Sequence, residues 1–165
     1  QKIMGVSVYA LKIKQFICKE YDSNLDDNEN ARCIFSLDFK PIIHLSQFPE
    51  GYYDTQFLNA PDFDMGYGGY NHFRQKICLM VHGVTPDDIW DNIDKWLGKP
   101  FIEFINFADN EGSFDFVIAE KLYKNFSDFK EKAEKELPAD LYRRYCDYME
   151  ILKVVYENKG VIYYS

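Results

Sequence analysis

The chain has 165 residues, of which 47% are hydrophobic and 28% charged, with 9 Gly and 6 Pro. This length and composition suffice for one globular domain and exclude collagen-like and intrinsically disordered proteins. Lys and Arg total 19 against 27 Asp and Glu, which gives a formal net charge of −8. Because that charge repels phosphate backbones and anionic lipids and attracts cations, we expect a basic partner and neither a nucleic-acid nor a membrane partner.

Neither a membrane span nor a signal peptide is expected, since no apolar run is long enough for a span and the first residues lack the pattern of a leader. The four cysteines are widely spaced and form no C-x-x-C pair: Cys18, Cys33, Cys78 and Cys146. A domain of this size can build a core without disulfides, so we expect reduced thiols and a cytoplasmic protein.

The first half of the chain predicts strands and a long loop. Residues 6–14 form a β-rich run, although Ala10-Leu11 interrupts its alternation. An acidic polar stretch follows, and residues 33–39 then predict a second strand, with residues 42–45 as its continuation or a third strand. Residues 47–69 predict a long irregular loop.

The second half predicts mainly helices. Apolar spacings of three and four predict a helix from Tyr70 to Gly83, and a second helix begins with Thr85 as N-cap and Pro86 at its first position. Residues 101–107 predict a short buried strand, and after residues 110–113 an amphipathic helical run leads to Pro138.

The chain ends, in this prediction, with a last helix and a terminal strand at residues 161–164. Leu122, Phe126, Phe129, Leu141, Tyr145, Tyr148 and Leu152 share one helical spacing and are expected to be buried. The elements predict a single α+β domain over residues 1–165: a small, mainly antiparallel sheet packed by about four helices, with a C-terminal helical hairpin and a terminal strand.

Two patterns suggest metal ligands, and each has a simpler explanation. Asp22 opens a D-x-N-x-D sequence like that of an EF-hand, but the sixth position is Asp27 and the twelfth is Cys33, which favours a solvated acidic loop. Cys78 and His82 share a helix face, but two residues do not make a site. We therefore expect neither a metal nor a cofactor.

Two further patterns suggest a small-molecule site. Residues 66–71 resemble a Gly-rich phosphate loop before a helix, where Asn71 and Arg74 would donate to an anion, but the third glycine and the preceding strand are missing. Asp109 and Glu111 follow a predicted strand and are placed either for acid–base chemistry or to cap the following helix. Capping is the favoured interpretation.

Aromatic side chains are concentrated in the predicted loop before the first helix. Tyr52, Tyr53 and Tyr67 lie there among Gly, Asp and Asn, a mixture typical of protein-binding surfaces, and they are the candidate interface. The alternative is that several of these rings pack back into the core.

Two segments together resemble an uncharacterised family of small bacterial proteins. Residues 67–74 read Tyr-Gly-Gly-Tyr-Asn-His-Phe-Arg and residues 107–112 read Phe-Ala-Asp-Asn-Glu-Gly. They are similar to Tyr-Ser-Gly-Tyr-Asn-x-Trp-Arg and Phe-Ser-Asp-x-Glu-Gly segments of that family, and differ at Gly68, Phe73 and Ala108. The family has no known activity. The resemblance implies one shared feature formed by Gly69, Tyr70, Asn71, Arg74, Asp109, Glu111 and Gly112.

Charge, size and the aromatic loop favour a non-enzymatic, protein-binding domain for a basic partner, for example an immunity-type protein that neutralises a basic toxin. The alternative is an enzyme or small-ligand binder that uses Tyr70, Asn71, Arg74, Asp109 and Glu111 in a cleft. We also expect Arg74 to pair directly with Asp109 or Glu111, which would bring the two resembling segments together in space. A deep pocket where the five side chains converge would favour the enzyme, and an exposed acidic aromatic face the binding domain.

Overall fold

The computed structural model describes residues 4–36 and 45–165. The strands are β1 (Gly5–Cys18), β2 (Ala31–Ile34), β3 (Gly51–Phe57), β4 (Asp64–Gly66), β5 (Gly112–Asp115) and β6 (Val161–Tyr164). The α-helices are α1 (Tyr67–His82), α2 (Pro86–Asp91), α3 (Ile93–Trp96), α4 (Ile102–Asn106), α5 (Phe116–Asp128), α6 (Lys130–Glu136) and α7 (Ala139–Glu157). A 3₁₀ helix, Ser23–Asp27, lies between β1 and β2. The α+β class with a small antiparallel sheet is confirmed.

The strands form one curled sheet. They pair antiparallel in the order β2-β3-β1-β6-β5, and β4 pairs with the start of β1. A backbone hydrogen bond of 2.7 Å from Ser113 N to Phe35 O joins β5 to the chain just beyond β2. The two ends of the strand order therefore meet, and the sheet curls back on itself.

Strand β1 is buried on both faces where it crosses the middle of the sheet. Val8 and Ala10 point into the core beneath the helices, whereas Leu11 packs with Ile34 and Val161 inside the curl. The interrupted alternation at Ala10-Leu11 in the sequence thus marks burial on both sides of the strand, since side chains still alternate between faces.

The helices cover the outer face of the sheet and pack through aromatic rings. Phe126 on α5 lies 4.6 Å from the Tyr145 ring and 5.4 Å from the Tyr148 ring of α7, measured between centroids, and contacts Phe101 and Phe104 on its other side. Helices α5 and α7 form the predicted hairpin. The residues predicted to line it are buried, except that the Phe129 side chain is half-buried.

Several predicted boundaries are confirmed. Helix α1 ends at Gly83, whose φ of 71° is a left-handed conformation that glycine adopts at low cost. Helix α2 begins after Thr85, where the Thr85 N–H donates to the Asp88 carboxylate. The terminal strand is β6.

The predicted strand at residues 101–107 is wrong: this segment contains helix α4. Phe101 has a φ of 67°, outside the range of a strand, and its N–H donates to the Asn125 side chain over 3.0 Å. Ile102, Phe104 and Ile105 are all buried. A short run buried on every side shows neither helical nor strand periodicity, which is why the sequence was misleading here.

The long irregular loop predicted for residues 47–69 is also wrong, because it contains β3, β4 and the start of α1. The amphipathic run that was predicted as one helix after residues 110–113 is preceded by strand β5 and is divided into α5 and α6. The helix predicted to start at Thr85 is likewise divided, at Asn92, into α2 and α3. The predicted strand residues 37–44 lie outside the described residues.

Candidate functional site

One side of helix α1 carries most of the predicted site. Tyr67, Tyr70, Asn71 and Arg74 are spaced by three and four residues, so they form one stripe along the helix. The stripe faces the segment between α4 and β5, where Asp109 and Glu111 lie. The two segments that carry the family resemblance are therefore neighbours in space.

Arg74 is a buried cation held by neutral partners. Its side chain is 5% exposed, and it donates from Nη1 to the Phe107 carbonyl (2.6 Å) and from Nη2 to the Asn71 side-chain oxygen (2.5 Å). The guanidinium also lies 5.6 Å from the Tyr70 ring centroid and 5.2 Å from that of Trp90, within cation–π range. These contacts replace water around the buried charge.

Asn71 connects Arg74 to Asp109. The Asn71 amide group donates to the Asp109 carboxylate over 2.9 Å, while its oxygen accepts from Arg74. Within the described ranges Arg74 forms no ion pair, so the predicted direct pairing with Asp109 or Glu111 is wrong. Arg74, Asn71 and Asp109 instead form a hydrogen-bonded chain, which we call the relay. Together with the bond from Arg74 to the Phe107 carbonyl, it fixes the segment from Phe107 to Asp109.

Tyr70 belongs to the core. Its side chain is fully buried, and its hydroxyl shares a hydrogen bond of 2.7 Å with Tyr164, which shares another of 2.6 Å with Tyr148. Burial raises the pKa of all three tyrosines well above the usual value. Tyr70 therefore supports the fold from a position that a ligand does not reach.

Glu111 and Tyr67 line an open cleft of about 510 Å³ at one end of the curled sheet. Its walls come from the start of β1, the end of β2, the start of α1, the residues before β5 and the end of β6. The lining residues are Met4, Gly5, Cys33, Phe35, Tyr67, Asn110, Glu111, Gly112, Tyr163, Tyr164 and Ser165. Of the five residues of the enzyme hypothesis, Glu111 is the one that reaches this cleft.

The cleft offers little for nucleophilic chemistry. Burial raises the pKa of the Cys33 thiol, so the thiol is protonated at neutral pH. Burial likewise raises the pKa of Tyr163. Across the described ranges, no cluster of three or more His, Cys, Asp or Glu side chains is arranged to hold a metal ion.

The three tyrosines of the predicted interface are separated by the fold. Tyr67 lines the cleft, and Tyr53 is buried, with its hydroxyl donating to the Pro49 carbonyl over 2.7 Å. Tyr52 is half-buried on β3, and its ring centroid lies 6.2 Å from that of Tyr21. Tyr52 and Tyr53 are neighbours on strand β3, and successive side chains of a strand point to opposite faces of the sheet.

Two exposed rings at this end of the sheet were not predicted. Tyr21 is 61% exposed and Phe16 is 49% exposed. The Tyr21 hydroxyl donates to Asp26 over 2.7 Å, so this exposed ring is held at both ends, by Tyr52 and by Asp26. We call Tyr21, Tyr52 and the adjacent 3₁₀ helix with Asp22 and Asp26 the acidic aromatic surface. The Phe16 ring does not belong to it, because Phe16 packs against Tyr53, with 5.2 Å between ring centroids, on the opposite face of the sheet.

The remaining candidates have structural roles. Asp22 caps the 3₁₀ helix by accepting from the Asn24 N–H, and Asp26 accepts from Tyr21, so the two carboxylates serve separate local contacts. Cys78 is buried, which raises the pKa of its thiol to about 12, and the His82 ring bonds to the Pro100 carbonyl. None of these contacts resembles metal coordination.

Helix α5 is capped by Asp115, which the sequence reasoning missed. The buried Asp115 carboxylate accepts from the N–H groups of Ser46 (2.6 Å), Gln47 (2.6 Å) and Val117 (3.1 Å). The capping interpretation of Asp109 and Glu111 is therefore wrong. The sequence contains a signal for this cap, because Asp115 directly precedes the first residue of the apolar helical pattern.

Neither Asn71 nor Arg74 is free for an anion at the start of α1, since the relay occupies both. No helix in the described part of the chain is both long and apolar enough to cross a membrane.

Comparison with protein-family models, with curated protein sequences and with solved structures finds no match to this chain.

Proposed function

We propose that the protein is a cytoplasmic, non-enzymatic binding domain that docks on a basic protein through its acidic aromatic surface. An immunity-type protein that neutralises a basic toxin is an example of this class. The observation that carries the proposal is Tyr21, a ring that is 61% exposed and yet held by both Tyr52 and Asp26. Large aromatic side chains are enriched at the energetic centres of protein interfaces.

The fixed position of Tyr21 favours binding. Association normally costs free energy for each side chain that becomes immobile, and a ring already held in the free protein avoids much of that cost.

The charge of the protein favours a basic partner. The formal net charge is −8, and Asp22 and Asp26 lie beside Tyr21 in the 3₁₀ helix. Complementary charge accelerates association and rejects partners of the same sign. The enzyme hypothesis has less support, because Tyr70 and Arg74 are buried and the five candidate side chains do not converge on one pocket.

The test is affinity capture from the source organism with wild-type protein, Tyr21→Ala and Leu97→Ala. Leu97 is an exposed apolar residue at the end of α3, so its variant controls for the loss of apolar surface elsewhere. We expect a basic protein to be retained by wild type and Leu97→Ala and to bind Tyr21→Ala at least about 2 kcal/mol more weakly, roughly thirty-fold in Kd.

Stopped-flow kinetics of the protein with its captured partner test whether complementary charge accelerates their association. Raising the salt from about 0.05 to about 0.5 M shortens the Debye length from roughly 14 to 4 Å, so the association rate should fall several-fold while dissociation changes less. A captured partner of acidic composition, or one whose association ignores salt, would contradict the proposal.

A further inference from the structure

The cleft at the end of the curled sheet has the side-chain chemistry of a cation site. Its lining includes the exposed carboxylate of Glu111 and the aromatic rings of Tyr67, Tyr163 and Phe35. An exposed glutamate is negatively charged at neutral pH, and ring faces attract cations. No lysine or arginine is among these lining residues, all of which lie in the described ranges.

The walls of the cleft are held in place by hydrogen bonds. Arg74 binds the Phe107 carbonyl and Asn71 binds Asp109, which fixes the chain just before Glu111. On the other side, the hydrogen bond from Ser113 N to Phe35 O fixes the end of β2 against β5. A ligand that enters the cleft therefore meets a preformed site.

The cleft borders the acidic aromatic surface. Cys33 lines the cleft and is the direct cross-strand partner of Tyr52, so their side chains lie on the same face of the sheet. Tyr52 in turn contacts Tyr21. One partner that covers Tyr21 could therefore also place a side chain in the cleft.

We propose that the cleft receives an arginine side chain of the basic partner, an inference that rests on the function proposed above. A guanidinium pairs with a carboxylate through two parallel N–H donors and stacks on aromatic rings, so Glu111 and the tyrosine rings together match it better than they match an ammonium. The volume of about 510 Å³ lies within the range of pockets that bury organic ligands, and it accommodates the side chain with its flanking backbone.

The test needs no partner protein. N-acetyl-arginine amide is titrated into ¹⁵N-labelled protein and followed by NMR, with N-acetyl-norleucine amide as an uncharged probe of similar length. The variants are Glu111→Gln and Glu150→Gln, which change the net charge equally, and Glu150 is an exposed residue of α7. For one side chain we expect a Kd of the order of 1 mM.

We expect arginine amide to shift the amide signals of Tyr67, Asn110, Gly112 and Tyr163 in wild type and in Glu150→Gln. In Glu111→Gln the affinity should fall about ten-fold, as for the loss of a charge-assisted pair. Absence of shifts at about 10 mM, equal binding by Glu111→Gln, or equal shifts from norleucine amide would each overturn the proposal.

The two proposals fail in different ways. If arginine amide binds at the cleft but no basic protein is captured, the arginine site is supported and the proposed docking function is contradicted. If a basic protein is captured through Tyr21 and Glu111→Gln binds it like wild type, the docking function stands and the cleft proposal is overturned.

Discussion

Asn71 lies between Arg74 and Asp109, accepts from the first and donates to the second, and so takes the place of the ion pair that the sequence predicts. An asparagine can serve both neighbours because its side chain carries a donor and an acceptor on one planar group. The buried guanidinium is thereby satisfied without a buried carboxylate beside it, which avoids the desolvation of a second charge. The relay joins the two segments that carry the family resemblance.

Replacement of Asn71 by alanine should destabilise the protein. The substitution leaves Arg74 Nη2 without its acceptor and Asp109 without its donor, and we expect a loss of about 1–3 kcal/mol in the free energy of unfolding. Urea denaturation measures it. His72→Ala, at the exposed neighbouring position of the same helix, is the control and should change stability by less than about 0.5 kcal/mol. Equal effects of the two substitutions would show that the relay is unimportant for stability.

The sequence was most informative where a local signal fixes the backbone. Gly83 ends α1 in a left-handed conformation, and Thr85 with Pro86 begins α2, because both signals act within one turn of chain. It was misleading at residues 101–107, where burial on all sides removes the periodicity and the contact that determines the backbone of Phe101 comes from Asn125, far along the chain.

The same distinction applies to the candidate site. The proximity of Arg74 to Asp109 was predicted from the resemblance of the two segments and from the position of Arg74 one turn into a helix, although the strand expected before Asp109 is helix α4. The burial of Tyr70 was not, because it depends on the hydroxyls of Tyr148 and Tyr164 at the other end of the chain. The exposure of Tyr21 likewise depends on the sheet that carries Tyr52.

Asp115 should be the most important carboxylate for stability. Asp115→Asn keeps the shape of the side chain but places an amide donor where N–H groups of Ser46, Gln47 or Val117 now donate. Since hydrogen bonds to charged groups contribute about 1.5–3 kcal/mol each, we expect a total loss of at least about 3 kcal/mol in urea denaturation.

The matched control is Asp128→Asn, an exposed residue at the end of the same helix, which should leave stability within about 0.5 kcal/mol of wild type. A small effect of Asp115→Asn would mean that the segment containing Ser46 is held by other contacts.

Truncation of Phe126 should test the helical hairpin. Its ring is fully buried between α4 and α7, so Phe126→Ala removes packing and leaves a cavity, at a cost of about 3–5 kcal/mol. Val117→Ala on the same helix is the control, since Val117 is 40% exposed. A loss below about 1 kcal/mol for Phe126→Ala, measured by chemical denaturation, would show that the ring does not pack as described.

The buried tyrosines should make the protein sensitive to alkali. Burial raises the pKa of Tyr70, Tyr148 and Tyr164 in the folded state, so the folded protein binds more protons than the unfolded chain above the usual tyrosine pKa of about 10. Their contribution to stability is therefore fully present below about pH 10 and is lost as the pH rises beyond it. We expect the tyrosinate absorbance of the 13 tyrosines to rise in two stages, the exposed ones first and the buried ones together with the loss of the far-ultraviolet circular dichroism signal. If all the tyrosines titrated together near pH 10 and the circular dichroism signal did not change, the buried, hydrogen-bonded arrangement of Tyr70, Tyr164 and Tyr148 would be contradicted.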